Sequence, residues 1–202
     1  MHVIDLAEIV ELQRNLVVRW HQQDVDNSYD GLLGIVCRQM GYNFLLWHEE
    51  DIARSPDVSD ARIAQVKRAI DRYNQQRNDW IEKIDDWITD RLAELHIMSA
   101  GATPQNTETL GSTIDRLSIL ALRIFHLEEQ RDRADASADH RQNVSRKLAI
   151  ALEQLADLSR AAQELADDLF HGRKRHKTYR ALKMYNDPAL NPYLYQAQKA
   201  VA

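Results

Sequence analysis

Between Ile63 and Leu95 the apolar residues Ile63, Val66, Ile70, Tyr73, Ile81, Ile84, Ile88, Leu92 and Leu95 keep three- and four-residue spacing for over 30 residues. An α-helix sets such positions on one side, whereas a strand would need strict alternation. A helix of that length cannot bury its stripe alone. It needs other helices with matching stripes, so the pattern by itself calls for a bundle.

The rest of the chain supplies them. Leu6, Ile9, Val10, Leu16, Val17 and Trp20 have helical spacing and predict a helix over 6–22. A second runs from Gly31 to Arg54 and stops before Pro56, because the residue ahead of a proline avoids the α region. The long third helix begins after Ser59, an N-cap residue, and reaches about His96. Residues 99–110, with Gly101 and Pro104, read as a loop. A capping box at Ser112-Thr113-Ile114-Asp115 predicts the start of a fourth helix ending near Asp132. The fifth carries Val144, Leu148, Ala151, Leu155, Leu158, Ala162, Leu165 and Leu169, with Gly172 as its stop. Only 6 Gly and 4 Pro are spread over 202 residues, which leaves room for few turns. The expected fold is all-α: a bundle of about five helices with one long central helix. Residues 1–172 form the bundle domain, and 173–202 a basic, tyrosine-rich segment that packs on it or extends from it.

Several function classes drop out. No run approaches the roughly 18 consecutive apolar residues of a membrane span. Met1 to Gln13 carries Asp5, Glu8 and Glu11 without an apolar core, unlike a secretory leader, so the expected location is cytoplasmic. The single cysteine, Cys37, sits among Ile35, Val36 and Met40 and reads as a buried thiol. From His171 onward there are seven Lys and Arg against one acid, a net +6; the first 170 residues therefore carry −11 of the total −5. Such a basic run after a helix end is usually solvated, so nucleic acid is not the expected partner. An acidic partner surface, such as this protein's own body in an oligomer, suits it at least as well.

The second and fourth helices break the amphipathic rule. Phe44, Leu45, Leu46, Trp47 and Ile52 surround one; Ile114, Leu117, Ile119, Leu120, Leu122, Ile124 and Phe125 surround the other. A helix apolar on every side is expected to be buried on every side, and its charged groups must be paired, hydrogen-bonded or metal-bound. At 100° per residue, Asp115 and His126 point the same way, with Ser118 and Glu129 on the same side. Asn43, Glu50 and Arg54 share a face with Trp47, and Asp51 lies at its edge. Arg77 stands inside the long stripe, flanked by Asn74 and Asn78. An arginine so placed favours a carboxylate, and Glu50, Asp51 and Asp115 are the candidates.

A second pattern repeats: Trp47-His48-Glu49-Glu50-Asp51 and Phe125-His126-Leu127-Glu128-Glu129. His48 with Asp51, and His126 with Glu129, have the spacing that puts two ligands on one helix face. Bundle cofactor sites use such pairs, although the carboxylate-bridged type runs Glu-x-x-His. The carboxylates Glu50, Asp51, Asp115 and Glu129 would suit Mg²⁺ or Mn²⁺.

The stretches Asn43 to Asp51, Asn74 to Asp79, Gly111 to Leu120 and Lys183 to Pro188 together resemble the bacterial family known as domain of unknown function 4254. That resemblance implies an α-helical protein and brings no activity. A looser architectural likeness is to all-α nucleoside triphosphate pyrophosphohydrolases, which hold Mg²⁺ on paired acidic motifs. Here only Glu129-Gln130-Arg131-Asp132 has such spacing, and the second helix lacks its Glu-x-x-Glu.

Two readings therefore stand. In the first the chain is an interaction or scaffold module, a homo-oligomer whose polar cluster fixes helix register. In the second it is a divalent-metal-dependent hydrolase of a phosphate ester or nucleotide. There Glu50, Asp51, Asp115 and Glu129 bind the metal, and Asn43, Asn74, Asn78 and Arg77 bind a small phosphorylated ligand. His126, Asp115 and Arg77 would then carry the reaction.

Overall fold

A computed structural model describes residues 3–180, 184, 187–194 and 196. Five helices follow in order: α1 (Leu6–Trp20), α2 (Gly31–Arg54), α3 (Asp60–Glu94), α4 (Leu110–Asp132) and α5 (Ala138–Phe170). The described residues contain no strand, and a single bridge joins Gln105 to Arg175. The fold is an all-α helical bundle. At 35 residues α3 is the longest element, while α4 packs against each of the other four.

Local chemistry sets the helix ends. Asp5, Ser59, Thr109 and Ser137 each accept a backbone N–H from the first turn of the helix they precede. The second helix ends at Ser55, whose extended backbone (ψ 129°) is what Pro56 requires. At the end of α5, Gly172 adopts φ +67°, the left-handed turn that closes a helix. Three expected boundaries shift. The first helix stops at Trp20 rather than Gln22, and the third at Glu94 rather than His96, which takes φ 54°. The fourth starts at Leu110, because Thr109, not Ser112, is the N-cap. Asp85 reinforces that start by accepting the Gly111 N–H at 2.9 Å from across the bundle.

The main core runs from Ile4, Leu6, Ile9 and Leu16 through Met40 and Phe44 to Ile84, Ile114, Leu117, Leu122, Leu148 and Leu165. A small second cluster of Leu46, Val66 and Ile70 seals the far end of the α2–α3 pair. Along α4 the expected burial is met except at Arg116, Arg123 and the last turns. Along α2 it fails beyond Leu46, where Trp47 to Glu50 are only half buried.

Residues 173–180 lie on the bundle. The Arg175 N–H donates to the Pro104 carbonyl at 2.8 Å, His176 Nε2 lies 3.1 Å from the Asp85 carbonyl, and Arg180 reaches Glu82 and Asp86 at 3.1 and 2.5 Å. The acidic body is thus the partner of this stretch. Lys183, Tyr185, Asn186 and Tyr195, part of the sequence motifs at this end, are outside the described residues.

Candidate functional site

Asp115 is 5% exposed, and three groups from two helices converge on its Oδ1. Gln39 and Asn43, one turn apart on α2, donate through Nε2 and Nδ2 at 2.6 and 2.8 Å. The Nε of Arg77, from α3, stands at 3.2 Å. Asn43 also donates to Ser118 Oγ at 2.6 Å, and that hydroxyl donates to the Asp115 carbonyl at 2.6 Å. Of the three candidate partners for Arg77, the structure selects Asp115. Burial pushes the Asp115 carboxyl above its ordinary range, while Arg77, Asn43 and Gln39 pull the other way. Gln39 was not singled out by the sequence, although its place one turn before Asn43 put it on the same face.

Arg77 borders two cavities. One, of about 390 Å³, lies among α2, α3 and α4 and includes Asn43, Trp47, Glu50, Asp51, Arg54 and Asn74. The other, about 440 Å³, includes Asn78, Asp85, Glu108, Ser112, Asp115 and Arg116. Its Nε pairs with Asp115 by charge without a hydrogen bond, and none of the described residues accepts one from its Nη groups. Of the remaining carboxylates, Glu50 and Asp51 line the first of these cavities and Glu129 lies elsewhere. Glu50 pairs with Arg54 at 2.9 Å, Asp51 is exposed at a cavity edge, and Glu129 bonds His126.

That last contact belongs to a second cluster. His21 at the C-cap of α1, His48 on α2 and His126 on α4 place one ring nitrogen each within 4.8 Å of one another. Aromatic rings wall them in. Phe125 stacks on His21 at 4.1 Å, Trp47 stacks on His126 at 5.0 Å, and Phe44 meets His48 edge-on at 4.5 Å. The Nδ1 of His21 donates to the Val17 carbonyl at 2.7 Å, and the Nδ1 of His126 to Glu129 Oε2 at 2.7 Å. Both acceptors lack hydrogens, so neutral rings keep their protons on Nδ1 and turn a lone pair out from Nε2. Those two Nε2 atoms are buried without a partner, a condition worth roughly 1–3 kcal/mol against the fold for each. Desolvation, and then the proximity of His21 and His126, lower the His48 pKa from its ordinary value. His21 was missed by the sequence reading. No local pattern joins it to the other two, because it depends on how α1 docks.

Cys37 is 1% exposed, and burial pushes its thiol up to about 11, which removes it as a nucleophile.

Bundle and clusters together define an all-α helical protein with internal polar networks. The family model described as Protein of unknown function (DUF4254) matches residues 33–178, and the chain belongs to that family. No curated protein and no solved structure matches it. The matched stretch holds Asp115, Arg77, His48 and His126, while His21 precedes it. The family description names no activity.

Proposed function

We propose that the chain is a binding module in which the Asp115 cluster is the scaffold and Arg77 the recognition group for a small phosphorylated ligand. The observation that carries this reading is the state of Arg77. Its Nε stands 3.2 Å from Asp115 Oδ1 as an ion pair without a hydrogen bond, its Nη pair has no acceptor among the described residues, and the side chain borders two cavities. A planar fork so held matches two oxygens of a phosphate. Asn43 and Asn74 on one side and Asn78 on the other add polar contacts. The cytoplasm, where phosphorylated metabolites abound, is the proposed location. Self-association belongs to the same proposal, on the ground that Val18 on α1 and Ile150 and Leu152 on α5 stay exposed at 49%, 56% and 40%.

A second reading, hydrolysis of that ligand with Mg²⁺ or Mn²⁺, is favoured by Glu50 and Asp51 lining the same cavity as Arg77. In it Asp115 supports Arg77, and the metal-bridged phosphate sits between arginine and the acidic edge. Asp115, Glu129 and His126 remain members of the proposed machinery.

The test is thermal unfolding of EDTA-treated protein with inorganic phosphate, nucleotides, Mg²⁺ and Mn²⁺, alone and combined. Binding to the native state raises the midpoint by mass action. A dose-dependent rise with a phosphorylated compound, lost in Arg77→Lys, is expected. No rise with any of them would end the reading. Phosphate release that needs Mn²⁺ and disappears in Glu50→Gln would favour catalysis over binding.

A further inference from the structure

We propose that His21, His48 and His126 form a binding site for a divalent transition-metal ion, Zn²⁺ first, with a fourth coordination position left for water or an oxygen donor.

Donor type and ring arrangement both lead there. Three neutral imidazoles suit borderline ions such as Zn²⁺ rather than Mg²⁺, which requires oxygen ligands. In zinc sites a histidine ligand commonly donates its second N–H to a carbonyl or a carboxylate, which fixes the tautomer and aims the lone pair at the metal. His21 and His126 already do so, through Val17 and Glu129. Their Nε2 atoms are the buried, partnerless ones, and a metal would satisfy both together. A purely structural stack of rings offers no partner for either.

The ligand atoms lie within 4.8 Å of one another, and a tetrahedral ion with Zn–N near 2.0–2.1 Å draws them to about 3.4 Å. Small side-chain rotations provide that movement. Three protein ligands, not four, mark an open site rather than a closed structural one. The charges of Asp51 and Glu129 act on His48 and favour a cation there. The i,i+3 pair His126–Glu129 thus serves the metal from behind the histidine, through a hydrogen bond.

The site does not rest on the binding reading at Arg77, although His126 and Glu129 also figure in the hydrolytic one, and its test is separate. Metal-stripped full-length protein is titrated with Co²⁺ and its visible absorption recorded, then with Zn²⁺ in competition with a chromogenic chelator. The expected result is one ion per chain, with the intense absorption of a four-coordinate Co²⁺ that excess Zn²⁺ removes and excess Mg²⁺ leaves. The triple variant His21→Gln/His48→Gln/His126→Gln loses this site. Glu129→Gln, which keeps all three ligands, weakens Zn²⁺ binding about 10- to 100-fold. Circular dichroism confirms that each variant is folded, and the wild-type Co²⁺ spectrum needs no variant at all. The weak spectrum of hexaaqua Co²⁺ with wild-type protein, displacement by Mg²⁺, or undiminished one-per-chain binding in the folded triple variant would each overturn the proposal.

Discussion

Arg77 on α3 and Asp115 on α4 meet at 3.2 Å, at the point where the long helix and the most enclosed one both face α2. The pair is asymmetric: the Arg77 side chain is 27% exposed and that of Asp115 only 7%. Removing the arginine leaves a carboxylate deep in the bundle, whereas removing the aspartate leaves a guanidinium that solvent still reaches. Asp115→Ala also orphans Gln39, leaves Asn43 with Ser118 alone, and should cost on the order of 3–5 kcal/mol in urea unfolding. Arg77→Met with Asp115→Leu should recover only part of that loss, since it removes the stranded guanidinium but still leaves Gln39 without its acceptor. If Asp115→Ala lost less than about 1 kcal/mol, the cluster would not be a structural lock.

Gly111 leaves no space for a side chain. A Cβ there would lie 2.7 Å from Asp85 Oδ1 and 2.8 Å from the Ile81 carbonyl, so α3 and α4 would have to separate. Gly111→Ala should therefore destabilise the bundle by about 1–3 kcal/mol, despite the better helix propensity of alanine. An unchanged or raised midpoint would show that the contact relaxes without loss.

Burial raises the carboxyls of Asp85 and Asp115 above the ordinary 3.8. The native state then binds more protons than the unfolded chain from about pH 3.8 upward to the native pKa values. Across that interval the contribution of these two groups to stability falls as pH rises. Chemical denaturation between pH 3.5 and about 7 should show a flatter profile for Asp85→Asn than for wild type over that window. Parallel profiles would mean that Asp85 titrates alike in both states.

Cys37, with its thiol held near 11 and 1% exposed, should react with a thiol reagent at neutral pH only as fast as the protein opens. The rate should rise steeply with denaturant. Rapid labelling of the native chain would contradict the packing around α2.

How much of this was readable beforehand varies with the physics involved. The bounds of α2 follow from local rules, because Pro56 acts on the residue beside it. Arg77 could be matched to a carboxylate from sequence, because a charge in an apolar stripe has few ways to be satisfied. The start of α4 differs from the expected one because Thr109, itself a good N-cap, precedes the Ser112 box, and Asp85, 26 residues earlier, reinforces that start. Helical projection gives a direction but no depth. Asp115 and His126 share a direction on α4, yet the first meets α2 and α3 and the second joins the histidines where α1 ends. His21 could not be assigned, since three separate helices bring those rings together.

The basic stretch that follows α5 works as a built-in counter-ion. Arg173 and Lys174 are engaged by Asp168 at 2.7 and 3.4 Å, and Arg180 by Glu82 and Asp86. A polyanion that drew on these cations would compete with Asp168, Glu82 and Asp86 for them. Among the described residues, three cations of the basic stretch are thus matched by acids of the same chain.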